Sequence, residues 1–203
     1  FGAFMISILP GGFEAVVSAD LSDITSDPIE FSMTLIGLLF VIDVQIGTVG
    51  YLVTMRPLDA HIRSGNPFLA GWLAALICYP PLVFAFMGGD GMLAYEVNTP
   101  GWSYWFGDYP ALLWLWGGLM ICLTAIYAWA TVAFGIRFSN LTYRGVLTNG
   151  PYRFTRHPAY LSKNAFWWAA TLPFLVTNGS ATDVIRNCVC LAAVNAIYFW
   201  RAR

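Results

Sequence analysis

The chain has 203 residues, 58% of them hydrophobic, 17% aromatic and only 10% charged, with a net charge of −1. Soluble domains carry about 25% charged residues, so this composition excludes a water-soluble globule, and the lack of a basic face excludes nucleic-acid binding. An all-α, polytopic transmembrane helical bundle of about five spans is expected. Cys78, Cys122, Cys188 and Cys190 all lie in apolar runs. Cys188 and Cys190 fall on different faces of a helix, and His61 and His157 are too far apart for a zinc cluster, so neither a disulfide nor a metal site is expected.

In chain order, residues 1–17 are apolar but interrupted by Pro10-Gly11-Gly12, which predicts a partial helix or an interfacial segment. Residues 18–30 carry Asp20, Asp23, Asp27 and Glu30 without a cation, and read as an acidic extracytoplasmic loop. Asp27-Pro28 with Glu30 is a helix-start signal. Residues 31–55 form the first span, long enough to cross a bilayer. Asp43 sits in its middle and must face protein or water. It shares a face with Gly47, Gly50 and Thr54, a small-residue stripe suited to close packing or to a membrane-protein partner.

Residues 56–67 form a polar loop in which His61 reads as a solvated side chain. Residues 68–87 form the second span, with a kink expected at Pro80-Pro81. Residues 88–109 are a loop whose Trp102, Tyr104, Trp105 and Tyr109 suggest an interfacial belt. Its Gly88-Gly89-Asp90-Gly91 lacks the preceding strand and following Lys of a phosphate loop. Residues 110–136 form the third span, with Trp114 and Trp116 near the same interface. Residues 137–156 are a basic loop, 158–177 the fourth span, 178–180 a tight connection and 184–200 the fifth span. Three regions result: 1–30, a three-span part 31–136, and 137–203. The chain begins at Phe1 and stops at Arg203, and both ends are expected to be incomplete.

If the spans alternate, Arg56, Arg63, Arg137, Arg144, Arg153, Arg156, Arg201 and Arg203 share one side and the acid-rich loops the other. The positive-inside rule places the Arg-rich side in the cytosol. Asn140-Leu141-Thr142 and Asn178-Gly179-Ser180 match the glycosylation pattern, a weak signal.

Chemistry concentrates between Leu147 and Trp168. Asn149-Gly150-Pro151 marks a turn. Arg153, Arg156 and His157 follow, and Pro158 suits a first helical position. A cationic loop therefore runs into a helix N-terminus, whose free N–H groups favour an anion. Arg156 would hold a carboxylate while Tyr152 and Tyr160 flank a flat apolar group. Arg153 and Lys163 read as interfacial anchors.

Gly150, Tyr152, Arg156, His157, Pro158 and Tyr160, followed by an apolar helix, resemble the signature of the isoprenylcysteine carboxyl methyltransferases. Related integral-membrane phospholipid and thiol methyltransferases share it. The resemblance covers roughly residues 137–203. It implies S-adenosylmethionine as cofactor, held on the cytosolic side by those six residues; Arg156, holding an anionic group of donor or acceptor, is the expected catalytic residue. The acceptor implied is lipidic or small and apolar, a carboxylate, thiol or amine reached from membrane lipid. Asn164 and Trp168, one to two turns into the helix, are expected to line its path. In the family the last helix leads into an acidic cytosolic tail; here the chain stops at Arg203, where that tail would begin. Two alternatives remain: a non-catalytic subunit of a larger membrane complex that keeps the fold, and an NADPH-dependent membrane reductase of related fold.

Overall fold

The computed structural model describes residues 1–87 and 91–202, the side chains of Leu21 and Asp23 excepted. Gly88, Gly89, Asp90 and Arg203, which figure in the expectations above, lie outside the described residues.

Helix α1 (Gly2–Val17) runs unbroken through Pro10 and the two glycines. The expected interruption is absent because α1 lies antiparallel on α3 (Pro28–Leu52) and packing holds it. Met5 fills the notch left by Gly47: a Cβ there would meet its sulfur at 2.7 Å. A short α2 (Leu21–Ser26) precedes α3. The helix-start signal is borne out, since Asp27 caps α3 with its Oδ1 accepting from the Ile29 N–H at 2.7 Å.

The second span departs from expectation. After β1 (Ser64–Gly65), α4 (Leu69–Leu76) stops short of Pro80-Pro81, and α5 (Leu82–Phe86) restarts beyond it. Two successive prolines remove two helix donors, so the segment is broken rather than kinked. A short α6 (Trp102–Trp105) leads into α7 (Pro110–Phe134). Trp102 belongs to the core with Leu113 and Leu172 rather than to a belt, while Tyr104 and Tyr109 are exposed. Trp116 is likewise turned inward, its Nε1 donating to the Ala169 carbonyl at 2.8 Å.

After β2 (Thr142–Tyr143) comes α8 (Pro158–Thr171), then α9 (Ala181–Ala202). Helix α8 ends six residues earlier than expected, with Leu172 in the left-handed region at φ 46°. Pro173 disfavours helical backbone in the residue before it, which accounts for the stop. Among the described residues, α3, residues 110–137 and α9 are long and apolar enough to cross a membrane. The chain is a helical membrane protein with three such helices; α4, α5 and α8 are each too short alone.

Helices α3 and α7 pack closely: a Cβ on Gly117 would lie 2.0 Å from the Ser32 hydroxyl oxygen. Trp116 joins α7 to α8, and Trp168 Nε1 donates to Asn195 Oδ1 at 2.9 Å, joining α8 to α9. The Arg-rich segments meet at one end of the bundle. There β1 pairs antiparallel with β2, Arg63 reaches Asp59 at 2.9 Å and Arg137 reaches it at 2.5 Å. At the opposite end Thr99 donates to the Thr171 carbonyl at 2.7 Å, and Asn98 to Asp183 at 2.8 Å. Arg186, in the second turn of α9, stands apart from the other arginines, toward this second end.

Candidate functional site

The 149–157 loop takes its shape from three residues. Gly150 adopts φ +56°, where a Cβ would also press on Ala133 at 3.1 Å and Trp129 at 3.3 Å, so glycine is what lets the loop seat on α7. Pro151 is buried in a 3-10 turn over Gly150–Arg153, which turns Tyr152 inward. The Tyr152 ring meets Phe134 edge-on at 5.1 Å. Burial pushes the Tyr152 hydroxyl well above its ordinary pKa, which keeps it a neutral donor. Pro158 opens α8 with no side-chain cap, so the helix start keeps its free N–H groups.

Tyr152, Arg156, His157 and Tyr160 come together as lining residues of one cavity of about 550 Å³. Arg156 and His157 are exposed at its mouth, at the Arg-rich end. His157 stacks on Tyr160, ring centroids 5.9 Å apart and planes 13° apart. Burial, and then the Arg156 charge, lower the imidazole pKa, so His157 is neutral at pH 7. Gly150 and Pro158 are not lining residues; they set the backbone. Asn164 and Trp168 face α9, where Asn195 receives the Trp168 N–H and donates to Asn164 Oδ1 at 3.4 Å. From Tyr160, the cavity-facing stripe runs through Lys163 and Trp167 instead.

Several lining residues carry chemistry that the sequence did not single out. The Lys163 ammonium lies 5.7 Å from the Tyr127 ring centroid, 5.0 Å from Trp167 and 5.2 Å from Tyr198. It is a cavity residue, not the expected interfacial anchor. Arg153 does stay outside, over the Phe154 ring at 5.5 Å. Arg201 reaches back from the end of α9, over Tyr79 at 5.2 Å and Tyr160 at 5.4 Å, and donates to Asn140 Oδ1. Asn140 in turn donates to the Tyr79 hydroxyl at 2.9 Å and to that of Tyr51. The signal for Lys163 was present as helical spacing: 160, 163 and 167 share a face. Nothing local marks Arg201 or Asn140, since their site is assembled from segments 61 residues apart.

Asp43 is buried, accepts from the Thr131 hydroxyl across the α3–α7 contact, and lines the same cavity. Its stripe is not free for a partner: Met5 and Phe138 cover Gly47, and the Phe138 backbone covers Gly50. Among the described residues the lining therefore sets three cations, Arg156, Lys163 and Arg201, against one carboxylate. The opposite wall is apolar. It includes Phe4, Met5 and Ile8 of α1 and Phe84 of α5, which is 72% exposed on the outer surface. The cavity thus reaches both the Arg-rich end and the lipid-facing flank. A second recess of about 420 Å³ lies beyond Arg201, Asn140 and Tyr160, which belong to both.

Comparison of the chain with protein-family models, with curated proteins and with solved structures gives no match.

Proposed function

We propose that the protein is an integral-membrane, S-adenosylmethionine-dependent methyltransferase acting on a lipidic or small apolar acceptor. Its Arg-rich end and donor site lie in the cytosol, by the positive-inside rule. One observation carries this reading: Tyr152, Arg156, His157 and Tyr160 line a single cavity that is open to water at its cationic mouth and to lipid at its apolar flank.

The lining suits such a donor in its parts. Arg156 at the mouth and the uncapped start of α8 would take its carboxylate. The rings of Tyr152 and Tyr160 would flank the adenine or ribose, and His157, stacked on Tyr160, would hold that ring in place. Among the described residues Asp43 is the acid within the cavity, and it would receive an ammonium group. When bound, the cofactor supplies a methyl group activated on a sulfonium. An acceptor that is already a carboxylate or thiolate needs no base; the chain's work is alignment and exclusion of water. Lys163 and Trp167, one face over from Asn164 and Trp168, would meet the acceptor.

Calorimetric titration of the purified protein with S-adenosylmethionine tests the reading. Saturable binding is expected, weakened at least tenfold in Arg156→Ala with the melting temperature unchanged. A folded protein that takes no donor rejects it.

The cavity's excess of cations supports a second reading, a membrane reductase that holds the phosphates of NADPH. Quenching or enhancement of nicotinamide fluorescence on titration, with no S-adenosylmethionine binding, would put this reading in place of the first.

A further inference from the structure

We propose that the deep part of the cavity is an anion-recognition subsite centred on Lys163, and that its ligand is an amphiphile with an anionic head and an apolar body. The inference rests on reading the cavity as a ligand site, not on methyl transfer.

Three observations point the same way. First, Lys163 projects from α8 into the cavity, and among the described residues its ammonium has no hydrogen bond or ion pair. Its neighbours are the faces of Tyr127, Trp167 and Tyr198. Rings temper the cost of removing an ammonium from water but supply no anion. Second, Asp43, the acid in this lining among the described residues, accepts from the Thr131 hydroxyl and acts on Lys163 through its charge without contact. With Arg156 and Arg201 in the same lining, the described cations outnumber the described carboxylate. Third, the same lining includes hydrocarbon from Ile8 on α1 to Phe84 on α5, and both side chains are exposed on the outer surface. A head held at Lys163 would leave its tail running out along that wall into lipid. A neutral head would leave the ammonium only the distant Asp43 charge, whereas an anionic head pairs with it directly, so Lys163 selects for anions.

The probe is a pyrene-labelled dodecanoate compared with the matching pyrene-dodecanol, at fixed detergent and without donor, read by energy transfer from tryptophan. The wild-type chain is expected to bind the carboxylate at least tenfold more tightly than the alcohol. Lys163→Met should bring the ratio near one, and Lys163→Arg should restore it. Asp43→Asn, by removing the competing negative charge, should tighten carboxylate binding severalfold. A wild type without preference overturns the proposal, as does a Lys163→Met protein that keeps it. If Lys163→Met does not fold, Asp43→Asn decides: unchanged or weakened carboxylate binding overturns it. Donor binding is measured separately, so an absent methyltransferase and an absent anion subsite give different results.

Discussion

Arg144 and Lys163 are two cations turned into the same bundle, and their surroundings are opposites. Arg144 is 4% exposed, and its Nη1 donates to the carbonyls of Gly50 at 2.8 Å, Val53 at 3.3 Å and Ile136 at 3.2 Å. Those carbonyls belong to the ends of α3 and of the 110–137 helix, where free acceptors and the negative helix ends favour a cation. Lys163 has rings and open volume instead. The first cation closes two helix termini; the second leaves its valence open to whatever enters. A buried charge in a membrane protein thus reads as scaffold or as site according to whether the chain itself supplies the acceptors.

The widest gap between the two should appear on truncation. Arg144→Met strips three carbonyls, one buried and two partly buried, of a charged donor and should cost about 3 kcal/mol. In a chain of this size that lowers the melting temperature by roughly 6–12 °C in a detergent-solubilised thermal scan. Lys163→Met removes a charge that has no hydrogen-bond acceptor among the described residues, and should leave stability within about 1 kcal/mol of wild type or raise it. A large loss there would make both residues scaffold and erase the contrast. The smallest effect concerns the mouth. Burial and then Arg156 hold the His157 pKa below its ordinary value, so Arg156→Ala should move it upward. His157 therefore binds its proton more tightly in the unfolded chain. The associated stability is present above about pH 6.5 and lost as pH falls toward the depressed folded value. NMR of the two labelled histidines would report the shift, and an unmoved His157 would separate it from Arg156.

The start of α3 was legible because Asp27-Pro28 is a local signal, and α7 because its apolar run is uninterrupted. The end of α8 was equally local, written in Pro173, yet the apolar run through Thr177 masks it. The continuity of α1 through Pro10 was not legible, since packing of Met5 against Gly47 decides it. The site divides the same way. Tyr152, Arg156, His157 and Tyr160 follow from one contiguous stretch. Arg201, Asn140 and Tyr79 meet only when three distant segments fold together, and alone they look like a span-end, a loop and a mid-span residue. Asp43 was identified as a residue that must avoid lipid, but its Thr131 partner lies 88 positions away.

Helix α8 has 14 residues. At about 1.5 Å per residue it spans roughly 21 Å, some 9 Å less than a typical hydrocarbon core of about 30 Å. If its Thr99-bound end sits flush with one leaflet, the Arg156 elbow is sunk well beneath the opposite headgroups. Water must follow it down as a dimple, or the bilayer must thin around it. A hydrophilic molecule descending this well and a greasy one drifting in sideways would then meet at a depth dictated by the length of a single rod. Bilayers of different thickness should therefore tune the encounter without altering one side chain.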